Sequence, residues 1–63
     1  MCQMSVLLSR PEEEELVAEN ASLLEVEDDG VKISALFEDP RIVHGVKVTR
    51  IDFLAGKVWL ATN

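Results

Sequence analysis

One cysteine, no tyrosine, one histidine and only three aromatic side chains occur among these 63 residues. A lone cysteine, Cys2, excludes a disulfide within the chain. So short a chain buries only about 60% of the surface its unfolded form exposes, so its core is marginal. Small scaffolds of this kind usually gain support from disulfides, a metal or a partner subunit. With disulfides removed from that set, a metal and a second copy remain, and a homodimer is expected. No run approaches the roughly 20 apolar residues needed to span a bilayer. No basic, apolar leader opens the sequence, so the expected location is cytoplasmic, where a free thiol survives. Basic residues are also scarce, at 6 against 12 acidic ones, a net charge of −6. Phosphate backbones are bound by Lys and Arg, so this balance makes nucleic acid an unlikely partner. An acidic surface suits a cation or a basic partner instead.

What is present is a series of short β-branched and aliphatic runs separated by turn signals. The hydrophobic fraction, 48%, fits a folded domain. Met4 to Ser9 reads as a first strand, stopped by Pro11. Glu12 to Glu15 read as a solvated turn or a cation-collecting patch, before a short strand at Leu16 to Ala18. Asn20 to Ser22 reads as a turn. Leu23 to Glu27 alternates apolar and acidic residues, as a half-buried strand does. Asp28-Asp29-Gly30 is a hairpin signal. Val31 to Leu36 returns, and Phe37 to Pro40 turns again. Ile42 to Phe53 is the longest run. It breaks the period of two and contains Gly45, which points to a bulge or sharp bend. Ala55-Gly56 turns into a last strand, Lys57 to Ala61. The expected architecture is all-β, one domain over residues 1–63, with about six short strands in a highly curved antiparallel barrel of the SH3-like or Sm-like kind. Phe37, Phe53 and Met4 are expected in the core, and Trp59 in the core or a dimer interface.

Met1-Cys2 at the start, the Glu13 to Asn20 stretch (EEELVAEN), Leu36-Phe37-Glu38 and the closing Arg50-Ile51-Asp52-Phe53 with Gly56, Val58 and Leu60 together carry a family pattern. The chain resembles the CooT-like family of very small bacterial and archaeal proteins. The resemblance implies a β-barrel homodimer that binds nickel(II) through Cys2. It further implies a metallochaperone role in maturing carbon monoxide dehydrogenase, and that enzyme or its nickel-insertion machinery as partner. Unlike many metal carriers, the chain has no His-rich tract and no Cys-x-x-Cys pair.

Position strengthens the case for Cys2. Removal of Met1, usual before a small second residue, exposes an α-amine beside the thiol, and the two close a five-membered chelate ring. With Met1 retained, the deprotonated backbone amide of Cys2 takes the nitrogen role. Nickel(II) readily accepts square-planar geometry, which needs four donors. A twofold axis near Cys2 supplies two nitrogens and two sulfurs. Gln3, through its backbone amide, and His44 are the possible secondary ligands. Catalysis is not expected, because no nucleophile–base pair, paired-carboxylate motif or phosphate loop is visible. The alternative to nickel binding is a non-enzymatic module that docks on protein or RNA, with Cys2 incidental.

Overall fold

A computed structural model describes residues 3–63; Met1 and Cys2 lie outside the described residues. Six strands occur among them: β1 (Met4–Ser9), β2 (Glu14–Glu27), β3 (Gly30–Ala35), β4 (Arg41–His44), β5 (Val46–Asp52) and β6 (Lys57–Thr62). They form one sheet in the order β4-β3-β2-β1-β6-β5. The all-β expectation holds. Two features of the expected barrel do not. The pairing is mixed, since β1 and β6 run parallel, Ser5 beside Lys57 and Ser9 beside Ala61. The sheet is also open, with β4 and β5 as its edges.

Three bulges bend β2. Its register against β1 slips at Val17 and again near Asn20, and its register against β3 slips near Ser22. Asn20 takes a φ of 58°, a left-handed conformation that Asn accepts more readily than most residues. The stretch Asn20 to Ser22 is therefore a kink within one strand and not the expected turn. An extra residue in one strand bends it and strengthens the local twist. Through these kinks the first half of β2 pairs with β1 and the second half with β3.

Gly45 does the opposite. It cuts the run from Ile42 to Phe53 into β4 and β5, which lie at opposite edges of the sheet. Its φ is 72°. Its N–H donates to the Asp29 carbonyl (2.7 Å), and its own carbonyl accepts from Asn63 N–H (2.9 Å). One residue thus ties the β2–β3 hairpin to the end of β6. A Cβ at Gly45 would meet nothing within 4 Å, so only backbone strain opposes a side chain there. Gly45→Ala is expected to cost about 1–2 kcal/mol, the left-handed penalty for an L-residue, and to lower Tm by roughly 4–16 °C. Thermal melting by circular dichroism measures it. A melt unchanged within error would mean that the backbone there relaxes freely.

The core is aliphatic: Val6 and Leu8 from β1, Val17 and Ala21 from β2, Val31 and Ile33 from β3, Val46 from β5, and Val58 and Leu60 from β6. Val6, Val31 and Leu60 are fully buried. Met4 packs against this cluster, as expected. The aromatics do not. Phe37 and Phe53 are exposed in turns, against the core placement expected from their size. Phe37 has a φ of 67°, which turns the chain between β3 and β4. Trp59 is half-buried on the outer face, because its neighbours Val58 and Leu60 take the inner one.

Candidate functional site

The N-terminal end of β1 leads to Cys2, which is outside the described residues, so the geometry begins at Gln3. Ser5 N–H donates to the Gly56 carbonyl at 2.8 Å. A Cβ on Gly56 would lie 3.5 Å from the Gln3 carbonyl oxygen. The stretch from Gln3 to Ser5 is therefore held beside the β5–β6 turn. That turn is tightly made. Gly56 N–H donates to the Asp52 carbonyl at 2.9 Å, and Ala55 N–H to Asp52 Oδ1 at 2.9 Å. Gly56, with a φ of 71°, supplies the conformation that closes it. The residues at its tip are Phe53 and Leu54, 79% and 100% exposed. Gln3 is also exposed. The turn whose Gly56 meets the start of β1 thus carries two bare apolar side chains at its tip. Sequence reasoning missed this pair, because Phe53 continues the apolar run of β5. The adjacent Ala55-Gly56 was the available sign that a turn had begun.

Behind the strand start is a small pocket of about 70 Å³, lined by Met4, Val6, Ala21, Leu23, Leu24 and Val58 among others. Small-molecule sites usually measure roughly 300–1,000 Å³ and include convergent polar groups. This pocket is apolar and far smaller, so it reads as a packing gap beside Met4.

His44 sits at the other end. It precedes Gly45, whose carbonyl meets Asn63 past the end of β6, whereas Gln3 lies by Gly56, before its start. The interval along β6 is five steps, roughly 16 Å at 3.3 Å per residue. One protomer does not bring Gln3 and His44 together. The imidazole Nδ1 is 3.9 Å from Asp29 Oδ2, and both side chains are about three-quarters exposed. That is a loose, solvated pair. Among the described residues, no three His, Cys, Asp or Glu side chains converge as a metal site. The Glu12 to Glu15 run does not gather a cation site either. Glu14 accepts from Trp59 Nε1 at 3.0 Å, and Glu15 Oε1 accepts from both Arg10 Nε and Nη2 at 3.1 and 2.9 Å. Glu12 and Glu13 lie in the turn before β2, and Glu14 and Glu15 begin the strand itself.

No helix among the described residues is long and apolar enough to cross a membrane. No curated protein matches the sequence significantly. The solved structure of a candidate CooT from Carboxydothermus hydrogenoformans superposes with a TM-score of 0.85 over 98% of this chain and 98% of that one. The two sequences are 19% identical, so that likeness speaks for the fold. The pattern of the family described as CO dehydrogenase accessory protein CooT matches residues 1–61, nearly the whole length. The chain belongs to the CooT family of carbon monoxide dehydrogenase accessory proteins.

Proposed function

We propose that this protein is a non-enzymatic nickel(II) carrier for carbon monoxide dehydrogenase, acting as a homodimer that holds one nickel between the Cys2 residues of its two chains. The observation that carries this reading is the family match combined with the place of the only thiol. Cys2 stands one residue before Gln3 in the chain, and Gln3 is exposed. A thiolate is a strong donor for nickel, and a nitrogen on the same residue completes a chelate. One chain supplies two donors, and a square-planar ion takes four. A second copy related by a twofold axis supplies the rest. The Gln3 backbone amide is the adjacent nitrogen reserve. His44, at the far end of β6, could join such a site only from outside its own protomer's N-terminal end. Cytoplasmic residence keeps the thiol reduced and ready.

The exposed apolar side chains of the β5–β6 turn favour the dimer. Phe53 and Leu54 lie bare on the turn that holds the strand start. Covering both across a twofold axis would remove apolar surface from water close to the metal, at about 25 cal/mol per Å².

A nickel titration followed by absorbance and native mass spectrometry tests the proposal. The expected outcome is a thiolate-to-nickel charge-transfer band that saturates at one nickel per two chains. Binding should weaken markedly below about pH 6, because an α-amine and a thiol with reference pKa values near 7.7–8.0 and 8.5 must both lose protons to bind. The sign is fixed by competition, since protons and nickel share the same atoms. Affinity flat from about pH 5 to pH 8, or saturation at one nickel per chain with four ligands from that chain, would overturn it.

A further inference from the structure

Charge is distributed unevenly along this chain. Residues 46–63 hold three of the six cations and one of the twelve acids, a net +2, while residues 1–45 carry −8. The fold sorts those three cations into a pattern. Lys47 stands opposite Ala61, Arg50 opposite Trp59, and Lys57 opposite Asp52. Side chains of opposed residues share a face. Because Val58 and Leu60 are buried, Lys57, Trp59 and Ala61 all point outward, and so do their partners. The three cations therefore occupy three successive rows on the outer face, roughly 6.6–6.8 Å apart, the spacing of alternate residues in a strand.

The middle row is prepared for contact. The Arg50 guanidinium carbon lies 4.3 Å from the centre of the Trp59 ring, and the indole N–H is tied to Glu14. Arg and Trp are the residues that dominate binding energy when they are buried by a partner. Among the described residues Lys47 and Lys57 make no ion pair, and Arg50 has only Asp52, at 4.0 Å. The strand that carries Lys47 and Arg50, β5, is an edge of the sheet. Its outer row of backbone groups is open to an added strand.

We infer that the outer face and edge of the β5–β6 hairpin form a docking site for an extended acidic segment of a partner protein, with carboxylates at alternate positions meeting Lys47, Arg50 and Lys57. Row spacing selects the extended form, and charge selects the acidic one. Two other occupants fit less well. A nucleic acid would meet only three cations and then the glutamates of β2. A second β5 edge would oppose cations to cations. The site runs along the strand face from the Lys57 row, next to the β5–β6 turn, to the Lys47 row, and its chemistry owes nothing to nickel.

Trp59 is the only tryptophan, so its fluorescence reports on the face directly. The probe is a short synthetic peptide of alternating Glu and Thr. The controls are the same residues in two blocks, a Lys-Thr repeat and oligouridine. The alternating peptide should produce a saturable change in Trp59 emission and bind at least tenfold more tightly than the block peptide. Its affinity should fall steeply between about 50 and about 300 mM NaCl. Lys47→Glu with Lys57→Glu leaves the Arg50–Trp59 stack in place and should weaken binding at least tenfold; Lys47→Ala with Lys57→Ala should do so by a smaller factor. Absence of a saturable signal, equal affinity for the block peptide or for oligouridine, or a doubly reversed variant that binds as tightly as wild type would each overturn the assignment.

Discussion

Replacing Cys2 by alanine is expected to abolish nickel binding, with a loss of at least about 100-fold in affinity and disappearance of the charge-transfer band. The size of the effect follows from the donor set. In the paired site each chain gives one sulfur and one nitrogen, so the substitution removes both sulfurs at once. The remaining amine or amide nitrogens have no chelate partner, and water must fill the vacated positions. Cys2→Ser should fail almost as completely, because a hydroxyl keeps its proton near neutral pH and is a poor donor to nickel. His44→Ala is the matched control. His44 lies beside Gly45, at the opposite end of β6 from Gln3, so its loss should leave the titration within about twofold of wild type. Isothermal titration of the three variants decides the matter. An unchanged Cys2→Ala titration would remove the thiol from the site. A large loss in His44→Ala would mean that two protomers meet with His44 of one near Cys2 of the other.

Gly30→Ala carries the largest expected effect on stability. Gly30 begins β3 and stands opposite His44 of β4. It has a φ of 156°, and a Cβ built there would overlap the backbone carbonyl oxygen of Val43. The obstacle is main chain, so no side-chain rotation relieves it. The β3 and β4 strands must separate, which disturbs the neighbouring Gly45 N–H to Asp29 carbonyl bond at 2.7 Å. Overpacking and backbone strain each cost about 1–3 kcal/mol. Their combination, about 3–5 kcal/mol, is comparable with the roughly 3–9 kcal/mol available to a domain of this length. The variant should be largely unfolded at 25 °C, or should melt at least about 12 °C below wild type. A shift smaller than about 5 °C would show that β4 moves away from Gly30 at little cost. Gly45→Ala is the useful contrast, because the same atom added in open space meets only the left-handed penalty.

These two glycines show how unevenly the fold can be read from the chain. At Gly45 the break in the period of two and the glycine itself announced a bend, and a bend is there. At Gly30 the hairpin was legible but its details were not. The two loop residues are Asp28 and Asp29, with Glu27 paired to Gly30. Neither Asp has a positive φ. The glycine is needed for the approach of Val43, thirteen residues on, which no local pattern reports.

The strand count makes the same point. About six strands were expected and six occur among the described residues, yet they are different segments. Leu16 to Ala18 and Leu23 to Glu27 are one long β2, and Ile42 to Phe53 is two strands. Polar, turn-forming residues mark a change of chain direction, and a bulge within a strand needs them as much as a turn does. Whether Asn20 ends a strand or kinks it depends on whether β1 and β3 lie on either side to hold both halves. Likewise the missing period in β5 has a local cause in the extra residue at Thr49, where the register against β6 slips between Val48 and Arg50.

Legible in the chain alone were the all-β class, the absence of a disulfide within the chain, and Cys2 as the one thiol. These follow from composition and from a period of two, which depend only on neighbours along the chain. Tertiary structure alone decided that β1 and β6 pair in parallel, that Phe37 and Phe53 stay outside a core already filled by Val, Ile and Leu, and that His44 and Gln3 lie apart. It also decided that Lys47, Arg50 and Lys57 share one face. Each of these depends on which distant segments become neighbours when a kinked β2 and a cut at Gly45 wrap the sheet, and contacts of that range leave no local pattern in the chain.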